Sequence, residues 1–485
     1  MNLRKVLIVL CVVCGSAASL LAQEAPPAPS APKSATVPVV LEKKLPNGLT
    51  VAVVERRSVP LVTIQLLVKA GASGEDVTKA GLADLTAAML TKGTTTKTAT
   101  QIADAVEFLG GSIDSGAGWN SSSVTITVTS DKVEQAMAIL ADVVLHPKFD
   151  QKELDLLRSQ ALDGLTANLR QPSFLGNYVA TKYSLNEHPA GGTPNSLASI
   201  TAKDVAGFHS QFFKPVLARL IFAGDVSAAS ANALSEKLFG PWTSGTELGG
   251  LSAFAPGEGP VKPKPASIGR ILVVDLPKSG QASVTYAKQM NGIGRMGVAY
   301  PTAQVLNSVL GGGYSSRLNY EIRIKRGLSY GAGSSFAWRL TKSNFATRIQ
   351  TKNESAAEVA ELVLAELNKL TNSSIENDEL VPRKSVLTGN FGRNLETTRG
   401  LAGAIGELYA MNISTNELNS YVSGINRVSD VQIKDFASQN LLGGDVIIVG
   451  AYLIFKDDLA KRFPKIKVQV IKAADLDLSK DSLQK

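Results

Sequence analysis

Ile200-Thr201-Ala202-Lys203-Asp204-Val205-Ala206-Gly207-Phe208 is echoed 228 residues later by Val428-Ser429-Asp430-Val431-Gln432-Ile433-Lys434-Asp435-Phe436. Thr201 reads as a helix N-cap ahead of the apolar Val205 and Phe208, and the echo keeps apolar residues at the same spacing in Ile433 and Phe436. Two further pairs repeat at nearly the same offset. Phe149 with Glu153-Leu154 returns as Ile375 with Glu379-Leu380, and Ile221 with Gly224 returns as Ile447 with Gly450, each 226 residues on. An offset this steady over three elements marks an internal duplication. The expected fold is α+β: two homologous domains, each an antiparallel-rich sheet packed with helices on one face.

Outward from the repeat, the first half alternates the two periodicities such a domain needs. Val62, Ile64, Leu66 and Val68 alternate with Thr63 and Gln65 as a half-buried strand, and Pro46-Asn47-Gly48 turns the chain before a β-rich run at Leu49 to Val54. These two strands are expected to pair antiparallel. Helices are predicted over 81–90, through Ile102, Ala105, Val106 and Leu109 to Gly110-Gly111, after Val133, and over about 150–169. A strand at Val124, Ile126 and Val128 completes the order β-β-α-α-β-α.

At 485 residues the chain is too long for one core, and 44% hydrophobic with 19% charged residues is an ordinary globular composition. The net charge of +8 is diffuse, with no clustered basic face, so no nucleic-acid partner is expected. Met1 to Ala22 has basic Arg4 and Lys5, an apolar run from Val6 to Val13 and small residues ending at Ala22, the layout of a secretory signal peptide. It is too short for a spanning helix, so the mature protein is expected in a bacterial periplasm or secreted, without a stable membrane anchor. Cys11 and Cys14 both lie in that segment, which leaves the mature chain no disulfide. The expected organisation is signal peptide 1–22, Pro/Ala-rich spacer 23–38, first domain 39–240, linker 241–266, second domain 267–473 and tail 474–485.

The chemistry concentrates in Gly311-Gly312-Gly313-Tyr314-Ser315-Ser316-Arg317-Leu318 and in Glu321-Ile322-Arg323-Ile324-Lys325-Arg326-Gly327-Leu328-Ser329-Tyr330. A triple glycine admits close backbone approach, and a cation and a phenol follow at fixed offsets, as in a substrate clamp. A phosphate loop would need Gly-Lys-Ser/Thr at its end, which is absent.

From Val39 to about Lys472 the chain resembles the pitrilysin-type (M16 family) zinc peptidases. In the first domain the resemblance rests on Leu45-Pro46-Asn47-Gly48-Leu49, Gly71-Ala72-Ser73-Gly74-Glu75, Gly81-Leu82-Ala83, Met89 and Lys92-Gly93-Thr94. In the second it rests on Gln281, Val305-Leu306-Asn307, the glycine segment with Ser316-Arg317-Leu318, and Gly327-Leu328-Ser329-Tyr330. The resemblance implies a His-x-x-Glu-His helix holding zinc after Gly-Leu-Ala, its glutamate activating water. Here that place reads Asp84-Leu85-Thr86-Ala87-Ala88, so Asp84 and Ala88 replace the two histidines and Ala87 the general base. A further glutamate ligand would fall at about Gly164. One carboxylate cannot hold a catalytic zinc, which takes three protein ligands.

Only His146, His188 and His209 exist, and they read as ordinary loop and helix-surface histidines, with Glu358 and Glu361 as solvated charge. The resemblance also implies that Arg323 and Tyr330 hold the substrate carbonyl and its developing oxyanion, with Gly311, Gly312 and Gly313 near the substrate. Arg317 reads as structural and Arg326 as solvent-facing. The expectation is a catalytically incomplete subunit binding no cofactor itself, inactive alone, and lending Arg323 and Tyr330 to a zinc-bearing partner of a heterodimer that hydrolyses unfolded peptides. The alternative is a peptide-binding or scaffolding protein of the same fold.

Overall fold

β-Branched residues at alternate positions build two six-stranded sheets with matching strand orders. The structure, a computed structural model, describes residues 37–243, 269–480 and 482–485. The expected signal peptide, nearly all of the spacer and nearly all of the linker lie outside the described residues. The first sheet holds β1 (Leu41–Lys44), β2 (Thr50–Glu55), β3 (Leu61–Val68), β4 (Ser112–Ala117), β5 (Ser122–Thr129) and β6 (Ala218–Gly224) in the order β1-β2-β6-β3-β5-β4. The second holds β7 (Ile271–Asp275), β8 (Ala282–Asn291), β9 (Ser329–Trp338), β10 (Lys342–Thr351), β11 (Asp445–Gly450) and β12 (Val468–Lys472) in the order β12-β7-β11-β8-β10-β9. Five strands correspond in order and direction, β2, β6, β3, β5 and β4 with β7, β11, β8, β10 and β9. The outer edge differs: β1 comes first in the chain and runs antiparallel to β2, whereas β12 comes last and runs parallel to β7.

One expectation fails. β2 and β3 do not pair, because β6 lies between them, parallel to β2 and antiparallel to β3. The connection Arg56 to Pro60 is long enough to span the roughly 10 Å of two strand spacings. All three strands are apolar on both faces, so the middle place went to β6, which comes late in the chain and whose seven residues are nearly all buried. Edge strands β1 and β4, too polar to announce themselves by alternation, were missed.

Each sheet packs one face on helices of its own half. Val62, Ile64, Leu66, Val124 and Ile126 meet the helices Leu82–Met89 and Val133–Leu145, and Val284, Tyr286 and Ile448 meet Tyr300–Leu310 and Ala356–Asn372. The opposite faces are covered by exchange. Leu401, Ala402, Ile405 and Leu408 of the helix Thr398–Ala410 lie on Ala52, Val54, Leu67 and Ile221 of the first sheet. The helix Pro172–Tyr183 lies in turn on β8 and β11 of the second. A glycine sits where each exchanged helix comes closest: a Cβ on Gly176 would meet Ser283 Oγ at 3.1 Å, and one on Gly406 would meet Gln65 Oε1 at 2.5 Å. Burial of each large side chain in these contacts is worth about 2 kcal/mol, so the halves stabilise one another. The 474–485 segment also packs: Leu478 and Leu483 are buried in the core of the first half.

Candidate active site

The helix Leu82–Met89 starts from Gly81 in the left-handed region, φ +94°. The fully buried carboxylate of Glu75 accepts from the backbone N–H groups of Gly81 and Ala83 at 2.8 and 2.7 Å and meets His188 Nε2 at 3.0 Å. A carboxylate at this end opposes the positive pole of the helix, and His188 shares the charge. Along the helix, Asp84 is exposed, Ala87 is buried and Ala88 half-buried. Desolvation by the surrounding chain raises the Asp84 carboxyl above its ordinary value, an N–H bond from Ala117 opposes this, and the Glu75 charge adds to it. Ser115 Oγ of β4 donates to the Ala87 carbonyl at 2.7 Å, which fastens this helix to the edge strand. Gly164 is exposed on the helix Gln151–Asn168, which packs against Leu82–Met89, and nothing stands within 4 Å of its Cβ position.

The donor set does not fit zinc. A single carboxylate and two alanines stand where three ligands would be required, and among the described residues no three His, Cys, Asp or Glu side chains gather to hold a metal. His146 is exposed beside Asp142. His209 donates to the Val144 carbonyl at 2.9 Å between Phe149 and Phe213, and burial pushes its pKa down. His188 corrects its reading as an ordinary turn histidine: it is buried, paired with Glu75 and packed on Trp119.

In the second half, Gly311 ends the helix Tyr300–Leu310 and its carbonyl accepts from Ser334 N of β9 at 3.1 Å. A Cβ on Gly311 would lie 2.4 Å from that nitrogen, and one on Gly312 would lie 2.9 Å from the Asn307 carbonyl, whereas Gly313 has open space. Close approach is thus to the protein's own backbone at the first two glycines, and only Gly313 has room to face a ligand. A π-helical turn over Asn319–Ile324 follows, closed by Lys325 N donating to Tyr320 O. Arg323 lies within it, Arg317 before it and Arg326 after it, and the three stand in different surroundings. Arg317 forks onto Glu379 at 2.9 and 2.6 Å. Arg326 pairs with Glu321 and lies 3.8 Å from Glu358 while remaining exposed, so its solvent-facing reading stands with an ion pair added. Arg323 has no hydrogen-bonded or ionic partner among the described residues; its guanidinium lies over the Tyr314 ring, 4.8 Å from the centroid. Tyr330, at the start of β9, is 91% exposed.

The structure joins the glycine segment to Arg323 through Tyr314, but no hydrogen bond or ion pair among the described residues links Arg323 or Tyr330 to Asp84. A cavity of about 920 Å³ lies between the halves, and its lining includes neither Asp84 nor Arg323 or Tyr330. Asp114, Ser115 and Gly116 of β4, consecutive residues on the free edge of the first sheet, line one wall, and Leu387, Asn390, Phe391 and Asn394 of the helix Asn377–Leu395 line the other. The same helix holds the glycine segment at its opening turns, where Glu379 takes Arg317 and Arg383 donates to Ser315. At 1.5 Å per residue, these contacts and the cavity wall are roughly 10–15 Å apart along one rigid element.

Sequence reasoning missed the joint beside this site. Glu187, nearly fully buried, takes a fork from Arg339 at 3.0 and 2.7 Å, with Lys342 at 3.5 Å, and Arg339 also covers the Trp119 ring. It crosses between the halves and has no periodic signal, because its members are scattered from Trp119 to Lys342.

Comparison with known proteins places this geometry. Residues 50–187 match the family model described as insulinase (peptidase family M16), and residues 199–386 match the one described as peptidase M16 inactive domain. The chain belongs to the pitrilysin-type M16 family. A Rickettsia felis protein named uncharacterized zinc protease is 26% identical over 373 residues, 76% of this chain and 86% of its own length. A Mycobacterium leprae protein of the same description is 26% identical over 77% of this chain and 83% of its own. Among solved structures, a peptidase M16 inactive domain from Pseudomonas fluorescens superposes with a TM-score of 0.74 at 25% identity, covering 85% of this chain and 98% of that one. A Helicobacter pylori protease shares the fold, with a TM-score of 0.76 at 20% identity over 86% and 100% of the two chains.

Proposed function

We propose that this chain is the zinc-free subunit of an exported, heterodimeric M16 peptidase, and that it lends Arg323 and Tyr330 to a zinc site held by a partner of the same family. The observation that carries the reading is the contrast between the two clusters. Among the described residues, Asp84, Ala87 and Ala88 gather no metal ligand set, Arg323 has no carboxylate paired with its guanidinium, and Tyr330 is exposed. Water activation then belongs to the partner's zinc. Arg323 and Tyr330 supply N–H and O–H donors to the carbonyl oxygen as negative charge develops on it. The substrate is an unfolded peptide, and the free edge of β4 beside the cavity supports its binding as an added strand. No helix among the described residues is long and apolar enough to cross a membrane, and the proposed site of action is the periplasm or exterior.

The test mixes the purified chain with a zinc-bearing M16 chain encoded in the same genome and follows hydrolysis of an unfolded peptide near neutral pH. Arg323→Ala is expected to lower kcat about 10²- to 10³-fold, the scale of one oxyanion donor, and Tyr330→Phe to cause a substantial loss. Activity unchanged by both substitutions would sink the proposal and leave the peptide-binding or scaffolding reading, which a pull-down that recovers an unrelated complex would support.

A further inference from the structure

We propose that Tyr314 is the positioning residue for Arg323, and that it holds the guanidinium by its ring face so that the full charge and the N–H groups remain available to a substrate oxygen. The inference rests on the reading that Arg323 meets the substrate. Its ground is the difference among three arginines within ten residues. Arg317 and Arg326 are each fixed by carboxylates, Glu379 for one and Glu321 for the other. Arg323 is held by an aromatic ring at 4.8 Å and by nothing else among the described residues.

The two ways of holding a guanidinium differ chemically. A carboxylate takes up two of the five N–H donors in its fork and cancels the charge. A ring below the plane attracts the cation through its quadrupole and leaves the in-plane donors pointing outward. Tyr314 can serve in this way because its own backbone is fixed: Asn319 Nδ2 donates to the Tyr314 carbonyl, and Asn319 Oδ1 accepts from Ala332 N of β9 at 3.2 Å. Its ring is 68% exposed and contributes little to the core. A tyrosine left on the surface, with its backbone tied to the strand Ser329–Trp338, has Arg323 as its evident partner.

The test uses the full chain with the zinc-bearing partner described above. Tyr314→Ala is expected to lower kcat about two- to fivefold with KM little changed, the range expected of one exposed cation–π contact. Tyr314→Phe, which keeps the ring face, restores the wild-type value. In an Arg323→Ala background, Tyr314→Ala has no further effect. In the isolated chain, the ring-shifted Nε–H resonance of Arg323, assigned by its loss in Arg323→Ala, moves to the position of an exposed arginine in Tyr314→Ala and stays in Tyr314→Phe. A Tyr314→Ala complex with wild-type kcat alongside a crippled Arg323→Ala would overturn the role of Tyr314 alone. An Arg323→Ala complex as active as wild type would overturn the reading beneath it as well.

Discussion

The helix Leu82–Met89 follows β3 in the first half, and Tyr300–Leu310 follows β8 in the second, at the same place in two copies of one topology. The first is short, capped by buried Glu75 and bonded through Ala87 to Ser115, and its outward side chain is Asp84. The second runs into three glycines and a π-helical turn, with Arg323 on the exposed Tyr314 ring and no counter-ion to it among the described residues. What the two share is what packing requires: a strand, a helix behind it and a return to the sheet edge. At Asp84 the side chain faces outward, while Ala87 is buried and Ala88 half-buried, so the first helix keeps small residues where it packs.

Substitutions can test how independent the halves are. Beyond the large kinetic effect expected of Arg323→Ala, the strongest stability effect is predicted at the joint. Glu187→Ala should destabilise the chain by about 3–5 kcal/mol, because it leaves Arg339 and Lys342 without their shared buried carboxylate. Chemical denaturation would measure it, and a change below about 1 kcal/mol would mean that the exchanged helices alone unite the halves. Within the glycine segment, Gly311→Ala should cost about 1–3 kcal/mol through its clash with Ser334, while Gly313→Ala should stay within about 0.5 kcal/mol. Equal effects at both would break the distinction between a packing glycine and one facing open space.

The smallest effect concerns Lys69, which reaches Asn412 of the other half and whose pKa is lowered to about 8 by burial and then by the Arg219 charge. The folded state releases this proton more readily than the unfolded chain, so the group disfavours folding below about pH 8. Its contribution to stability should rise between about pH 8 and 10.5, and Lys69→Met should flatten that rise in a pH series of unfolding curves.

The duplication, the helix N-cap at Thr201 and the buried faces of β3, β5 and β6 were legible because they depend on spacing within one segment. So was the residue chemistry at Asp84, Ala87 and Ala88, one carboxylate and two alanines on one helix, since residue type is read directly from the sequence. The arginines were legible in type but not in state. Arg326 reads as solvent-facing and is exposed but paired; His188 reads as an ordinary turn histidine and is buried on Glu75. The glycines, read as room for a substrate, are at Gly311 and Gly312 largely room for the protein's own backbone.

By itself the sequence determined an α+β fold of the M16 family, because periodicity and motif spacing are local properties. Only the tertiary structure decided that β6 would separate β2 from β3, that each half would cover the other's sheet, and that Arg323 would rest on Tyr314. The first two choices join segments more than a hundred residues apart, where many pairings satisfy the same apolar pattern and only the packed whole selects among them. The third spans nine residues, yet it depends on the pitch of a π-helical turn that no regular periodicity announces.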